Sequence, residues 1–474
     1  MNLNRRRTLF HEKRHSNLYR MFAWVLLILA AVWVTSGVKT GAITPLFQAT
    51  MTPTRTVQSY ALEGDAFFIA GKLEAAILAY QDAIDTDPTD AEIYTKLARI
   101  QTYSSSLLTT DTQKQQRLAE ALQSIDQAIV LAPDDSNAHA VRSFTLDWSA
   151  SAATTDADRQ SLLLEADRAA TRARQLDNQN VLAQAFYAEI LVDEQKWAQA
   201  EQVILGALEH GPEVMDVHRV YAYVLESTGQ YRQAIEEYQR ALEINPNLTF
   251  LYISIGANYR QLAFKSDITS QRDQLYEQAL EYFAKAANIN KQLDIKDPVP
   301  YIAIAKTYSQ KGDFFAAALN IKQALEFDPA NAGIYGQLGV IYFKARNYES
   351  AIPVLKCSVR GCTADESCLA RYETACDAAQ GQSGVAVTGL DLSPNTVVYY
   401  YTYGSVLAAF GPREPEYCIE AVSVLDQVQA GYGNDPIISS IVADGLAVCS
   451  LVNQQQIQTL TPVPTPTLLP TPRP

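Results

Sequence analysis

The chain has 474 residues, 48% apolar and 19% charged, which exceeds one ordinary core and excludes wholesale disorder. Its formal net charge is −14 and its pI about 4.9, the opposite of the basic face that displaces counterions from nucleic-acid phosphates. No Walker-type loop, H-E-x-x-H or G-x-S-x-G occurs, so no catalysis is expected.

Residues 1–20 carry Arg5, Arg6, Arg7, Lys13, Arg14 and Arg20 against Glu12 alone. The remainder holds 32 basic and 51 acidic residues, net −19. Residues 21–38 (MFAWVLLILAAVWVTSGV) contain no charge and span about 27 Å as a helix, enough for a hydrocarbon core. Trp24 and Trp33 stand near its ends, where amphipathic rings favour the interface. Six Lys/Arg precede it, and only Lys39 and Arg55 follow closely. The positive-inside rule then predicts a single-pass anchor in the cell membrane, residues 1–20 cytoplasmic and the body extracytoplasmic. A cleaved signal peptide is the alternative. The long basic region and a poor small-x-small site favour the uncleaved anchor. Residues 39–56, rich in Thr and small residues, read as a linker.

A period then appears. The segment 215–246 carries Tyr221-Ala222, Leu225, Gly229, Ala234, Tyr238, Ala241 and Pro246. The same frame fits Tyr187-Ala188, Leu191, Ala200, Ile204, Ala207 and Pro212, and Gly64, Phe67, Gly71, Ala76, Tyr80, Ala83 and Pro88. It recurs at Ala305, Tyr308, Gly312, Ala317, Ile321, Ala324 and Pro329, and at Leu338-Gly339, Tyr342, Ala351 and Leu355. Small residues at fixed positions let two antiparallel helices approach, large ones fill the gaps, and proline ends the second helix.

These residues resemble the tetratricopeptide repeat (TPR). The resemblance implies an all-α fold, a right-handed superhelix of helix-turn-helix units, behind one transmembrane helix. About eight repeats cover 57–363. Their closing positions are Pro88, Pro133, Asn178, Pro212, Pro246, Lys291, Pro329 and Thr363. The steps give three repeats eleven extra residues each, near 104–116, 149–160 and 264–274. Each insertion is polar and ends in a helix-start signal such as Thr110-Asp-Thr-Gln113. They are expected as longer helices joined by a longer loop at one edge of the solenoid, a tolerated surface feature or an extra contact edge.

All six cysteines follow residue 356. Residues 364–396 read as a cysteine-containing connector, helical through ADESCLARYETACDAAQ and then a loop. Residues 397–452 read as a divergent repeat with a capping helix over 436–452. Outside the cytoplasm six cysteines suggest disulfides. Cys418 opens one helix and Cys449 lies near the end of the helix that packs on it, which favours that pair. Cys357, Cys362, Cys368 and Cys376 would then pair among themselves. Spacings of four, five and seven residues, with no nearby histidine, argue against zinc. Neither metal nor cofactor is expected. Residues 453–474 read as a disordered Thr/Pro tail.

The resemblance also places function on the concave face, lined by first helices. Its groove positions fall here on Arg219, Tyr223, Phe250, Ile253, Arg260, Lys306 and Phe343. This mixed aromatic and cationic set suits a peptide with apolar anchors and some acidic residues. The two-Lys, two-Asn carboxylate clamp of some TPR domains is absent. The sequence therefore reads as a non-enzymatic, membrane-anchored scaffold for an envelope complex, binding protein partners rather than nucleic acid or a small-molecule substrate. A passive spacer between membrane and outer envelope is the alternative.

Overall fold

The computed structural model describes residues 17–40, 42 and 55–460, with side chains to 452. Most of the basic segment, most of the linker and the Thr/Pro tail from 461 lie outside the described residues. Helix α1 (Leu18–Lys39) is 22 residues long with mean hydropathy 2.2. Its Asn17 cap accepts a hydrogen bond from the Tyr19 N–H. No residue of α1 is buried, and Trp24 and Trp33 are fully presented. A helix apolar all round and uncovered by protein is long enough to cross a membrane; a signal sequence meets the same criteria. It forms a unit of its own, apart from residues 56 onward.

Eight antiparallel helix pairs follow: α2 (Val57–Ile69) with α3 (Leu73–Thr86), α4 (Ala91–Ser104) with α5 (Asp111–Leu131), and α6 (Ser136–Ser151) with α7 (Asp156–Leu176). Next come α8 (Val181–Asp193) with α9 (Trp197–His210), α10 (Met215–Ser227) with α11 (Tyr231–Ile244), and α12 (Thr249–Lys265) with α13 (Thr269–Gln292). The last are α14 (Val299–Lys311) with α15 (Phe314–Phe327) and α16 (Ala332–Lys344) with α17 (Tyr348–Val359). Packing explains the period. Ala76, Ala121, Ala166, Ala200, Ala234, Ala279, Ala317 and Ala351 occupy one position of the eight second helices, and all are fully buried. A second buried small residue sits seven places on, Ala83 through Ala324 and finally Ser358. On first helices, Gly64, Gly256 and Gly339 face Tyr80, Phe283 and Leu355, and a Cβ would fall under 3.0 Å from each ring or branch. These positions set how closely the helices of a pair can pack.

The insertions mostly lengthen helices rather than loops. Helices α5 and α7 have 21 residues and α13 has 24, against 14 for α3, α9, α11 and α15. Thr110 and Thr155 cap α5 and α7, accepting from the backbones of Gln113 and Asp158.

The array also winds back on itself. Gly71, between α2 and α3, meets Asn247, between α11 and α12. Its φ is +77°, and a Cβ would strike the Asn247 carbonyl, so only glycine fits. Thr109, in the first insertion, donates to Asp328 (2.6 Å) and accepts from Asn331 (2.9 Å) between α15 and α16. The edge of one turn thus touches the opposite edge of the next after about five repeats.

Beyond Arg360, α18 (Ala364–Tyr372) stops eight residues before the end of the expected helix, because Glu373 takes the left-handed conformation at φ 64°. The connector returns past the end of α17: Cys362 and Val387 exchange two backbone hydrogen bonds of 2.9 Å. Helices α19 (Val397–Phe410), α20 (Glu416–Tyr432) and α21 (Pro436–Leu460) close the chain. Gly404 of α19 packs against Leu425 of α20, as in the repeats. Helix α21 runs eight residues into the expected tail, since no proline interrupts NQQQIQTL. Disulfides join Cys357 to Cys362, Cys368 to Cys376 and Cys418 to Cys449.

Candidate binding cavity

First helices supply the inner wall of the superhelix, and in its first turn their side chains meet. Tyr103 of α4 is fully buried and stacks on Phe250 of α12, ring centroids 5.1 Å apart. Its hydroxyl donates to Asp216 of α10, which also pairs with Arg99 of α4. Burial raises the Asp216 carboxyl, but the Arg99 and Arg219 guanidinium groups hold it below its ordinary value. Arg219 of α10 grips Glu189 of α8 with two hydrogen bonds of 2.7 and 2.6 Å. Its Nε donates to the Tyr103 hydroxyl at 3.1 Å. Trp148 of α6 adds an indole N–H to Glu189 at 3.1 Å.

Beside this plug lies a cavity of about 450 Å³. Its walls come from α5, α6, α8, α10, α11, α12 and the start of α14, and the first insertion frames one side. Trp148, Tyr223, Tyr238 and Phe250 supply aromatic surface. Asp111, Asp147, Glu189, Asp193 and Asp297 face Lys114 and Arg219, so five acids meet two bases. Asp193 accepts from the Tyr223 hydroxyl (2.5 Å) and from Ser151 (3.4 Å). Asp147 is 1% exposed, and its Oδ1 has no hydrogen-bond partner. Burial, then the Asp193 and Glu189 charges, push the Asp147 carboxyl well above its ordinary value; burial raises Asp193 as well.

The groove residues expected from the sequence divide in two. Tyr223, Phe250 and Ile253 are half-buried and line the cavity. Arg219 lines it too, but as a correction it is no solvated groove cation: it is 5% exposed and held by Glu189. Arg260, Lys306 and Phe343 stand elsewhere. Arg260 lies over the Phe283 ring with one buried guanidinium nitrogen unpartnered. Burial lowers the Lys306 ammonium, and the nearby Arg260 lowers it further. Phe343 is exposed and touches the Tyr348 ring.

Sequence reasoning missed the acids. Asp147 and Glu189 occupy groove positions in the same register that gave Tyr223 and Arg260. Reading that register through the repeats before residue 215 as well finds them.

The fold and cavity define an α-solenoid of helix-turn-helix repeats coiled around an acidic, aromatic-walled interior. Three stretches of the array match models of the tetratricopeptide repeat. Residues 64–101 match the family described as TPR repeat, and residues 187–249 and 302–361 the one described as tetratricopeptide repeat. Interferon-induced protein with tetratricopeptide repeats 2 of Cricetulus griseus is 33% identical over 127 residues, 25% of this chain. The match spans about a quarter (27%) of that relative. The human IFIT1 dimer with PPP-AAAA superposes with a TM-score of 0.51 at 16% identity, covering 85% of this chain and 92% of that one. A thermophilic TPR protein of Thermus thermophilus gives 0.36 at 18% identity over 43% of this chain and 98% of its own. Tetratricopeptide-repeat proteins generally serve as protein-binding scaffolds, and the fold is typically non-catalytic.

Proposed function

We propose that this chain is a non-enzymatic scaffold, anchored by α1 with its repeats outside the cytoplasm, that grips partner segments on its concave face to assemble an envelope complex. The observation that carries the reading is the unspent chemistry of the second half of that face. Arg260 has a buried, unpartnered guanidinium nitrogen, and Lys306 lies near it with no carboxylate partner among the described residues. Two uncompensated cations on successive first helices favour a segment bearing carboxylates. Human IFIT1 was solved with PPP-AAAA, an RNA bound by that protein. In this chain the acidic interior and the net charge of −14 favour a protein partner over a polyanion. Outside location is supported by the charge asymmetry around α1 and by three disulfides.

Cross-linking capture from native membranes tests the reading, comparing wild type with Arg260→Glu/Lys306→Glu. The expected result is a specific protein lost in a variant that melts like wild type. The same captured set in both moves the assignment to a passive spacer. Arg219 is unsuited to this test, since reversing its charge would strand Glu189 in the interior.

A further inference from the structure

We propose that the interior cavity is a binding site for an organic cation, a guanidinium or ammonium group, carried by a partner's arginine or lysine or by a free amine. Three observations converge. First, acidic side chains outnumber basic ones in the lining, five to two. Arg219 and Glu189 pair with each other, which leaves Asp111, Asp147, Asp193 and Asp297 against Lys114. Second, Asp147 is nine-tenths buried and more, lines the cavity, and has an oxygen with no partner among the described residues. An orphaned buried acceptor is costly unless something donates to it. Third, part of the remaining wall is aromatic. Trp148, Tyr223 and Phe250 present ring surface where a cation gains from the ring quadrupole. At about 450 Å³ the space lies in the range of small-ligand pockets, and the exposed Asp111 stands where it reaches solvent.

The chemistry selects against the alternatives. An anion would meet the acidic groups of Asp147 and Asp193, with Lys114 as the lining cation not paired to Glu189. A neutral apolar group would leave the Asp147 oxygen unsatisfied. A guanidinium satisfies that oxygen, offsets the adjacent carboxylates and stacks on the rings at once. The site does not depend on the scaffold reading, because partner capture through Arg260 and Lys306 can succeed or fail independently.

Isothermal titration calorimetry of the full chain in detergent micelles tests it with three titrants: N-acetyl-Gly-Arg-Gly-amide, the same peptide with citrulline, and agmatine. The proposal expects saturable binding of a charged titrant and at least about tenfold weaker binding of the uncharged citrulline peptide, a neutral near-isostere. Tighter binding of the arginyl peptide than of agmatine assigns the cation to a partner's side chain, and the reverse order to a free amine. Asp147→Asn should weaken cation binding by at least about tenfold while the unliganded melting midpoint holds or rises. Should that variant not fold, Ile253→Lys supplies a tethered ammonium from the cavity wall. It should block the charged titrants and melt above Ile253→Met. No binding of either charged titrant, equal binding of the citrulline peptide, unchanged affinity in folded Asp147→Asn, or Ile253→Lys melting below Ile253→Met overturns the proposal.

Discussion

Asp297→Asn isolates the cost of one buried charge. Asp297 precedes α14 and lines the cavity at 3% exposure. Its carboxylate accepts from the Val299 N–H (2.9 Å) and the Asn290 amide (2.8 Å). Burial outweighs both bonds and pushes the group from 3.8 up to about 6. At 1.36 kcal/mol per pH unit this is about 3 kcal/mol. The sign follows from the direction. Below 3.8 the group is protonated in both folded and unfolded chains, and the folded state carries no penalty. Between 3.8 and about 6 the folded chain keeps a proton the unfolded chain has lost. Above that the folded chain holds a buried carboxylate, so stability present in acid is lost as pH rises through about 6. Asparagine keeps an acceptor for Val299. The Asn290 amide can turn to offer its oxygen, now buried without a partner. The variant should therefore gain up to about 3 kcal/mol near pH 8 and almost nothing near pH 4. Hydrogen exchange of the α13 and α14 amides reads this locally, which suits an array whose repeats do not unfold as one. An equal gain at both pH values, or a loss near pH 8, would refute the reasoning.

Three further outcomes are expected. Arg219→Ala leaves Glu189 buried without its counter-ion and should cost about 3–5 kcal/mol in urea unfolding, with Arg219→Lys intermediate because an ammonium cannot make the paired contact; wild-type stability would dissolve the interior plug. Gly339→Ala drives a Cβ into the Leu355 side chain and should lower stability by about 1–3 kcal/mol, visible in the thermal midpoint, while a neutral result would mean α16 and α17 can part at no cost. Replacing Cys418 and Cys449 together by Ser opens a 31-residue closure worth about 3–4 kcal/mol, and hydrogen exchange should rise in α20 and α21 but not in α2 to α11, since repeats feel only their neighbours.

Much of the fold was legible because pair packing is local. Ala at two positions seven residues apart, a small residue of the first helix against a large one of the second, and proline at the close are constraints met within one repeat. The eight pairs and the divergent last unit follow from them, down to Gly404 against Leu425. What remained hidden depends on superhelical pitch, which no single repeat encodes. Arg219 sits in a groove register and reads as solvated, yet a turn closing after about five repeats brings Tyr103 to it across 116 residues. The first insertion shows the same limit. Its Ser, Thr and Gln content reads as a surface loop, but Thr109 bonds a junction 219 residues away. The early stop of α18 at Glu373 is a left-handed residue that no glycine announces.

Closure of the first turn also buries acids of the concave face, some of them beside Arg99 and Arg219. Carboxylates of α6 and α8 gather in the closed half, where Asp147 and Asp193 resist ionisation because little water reaches them. Cations of α12 and α14 stand beyond, where Arg260 and Lys306 lack acidic partners among the described residues. A symmetric groove would accept a segment in either direction. If both proposed sites bind one segment, it would lie with its basic group toward α6 and its acidic groups toward α14, and the tight coil that buries Arg219 would thereby fix its orientation.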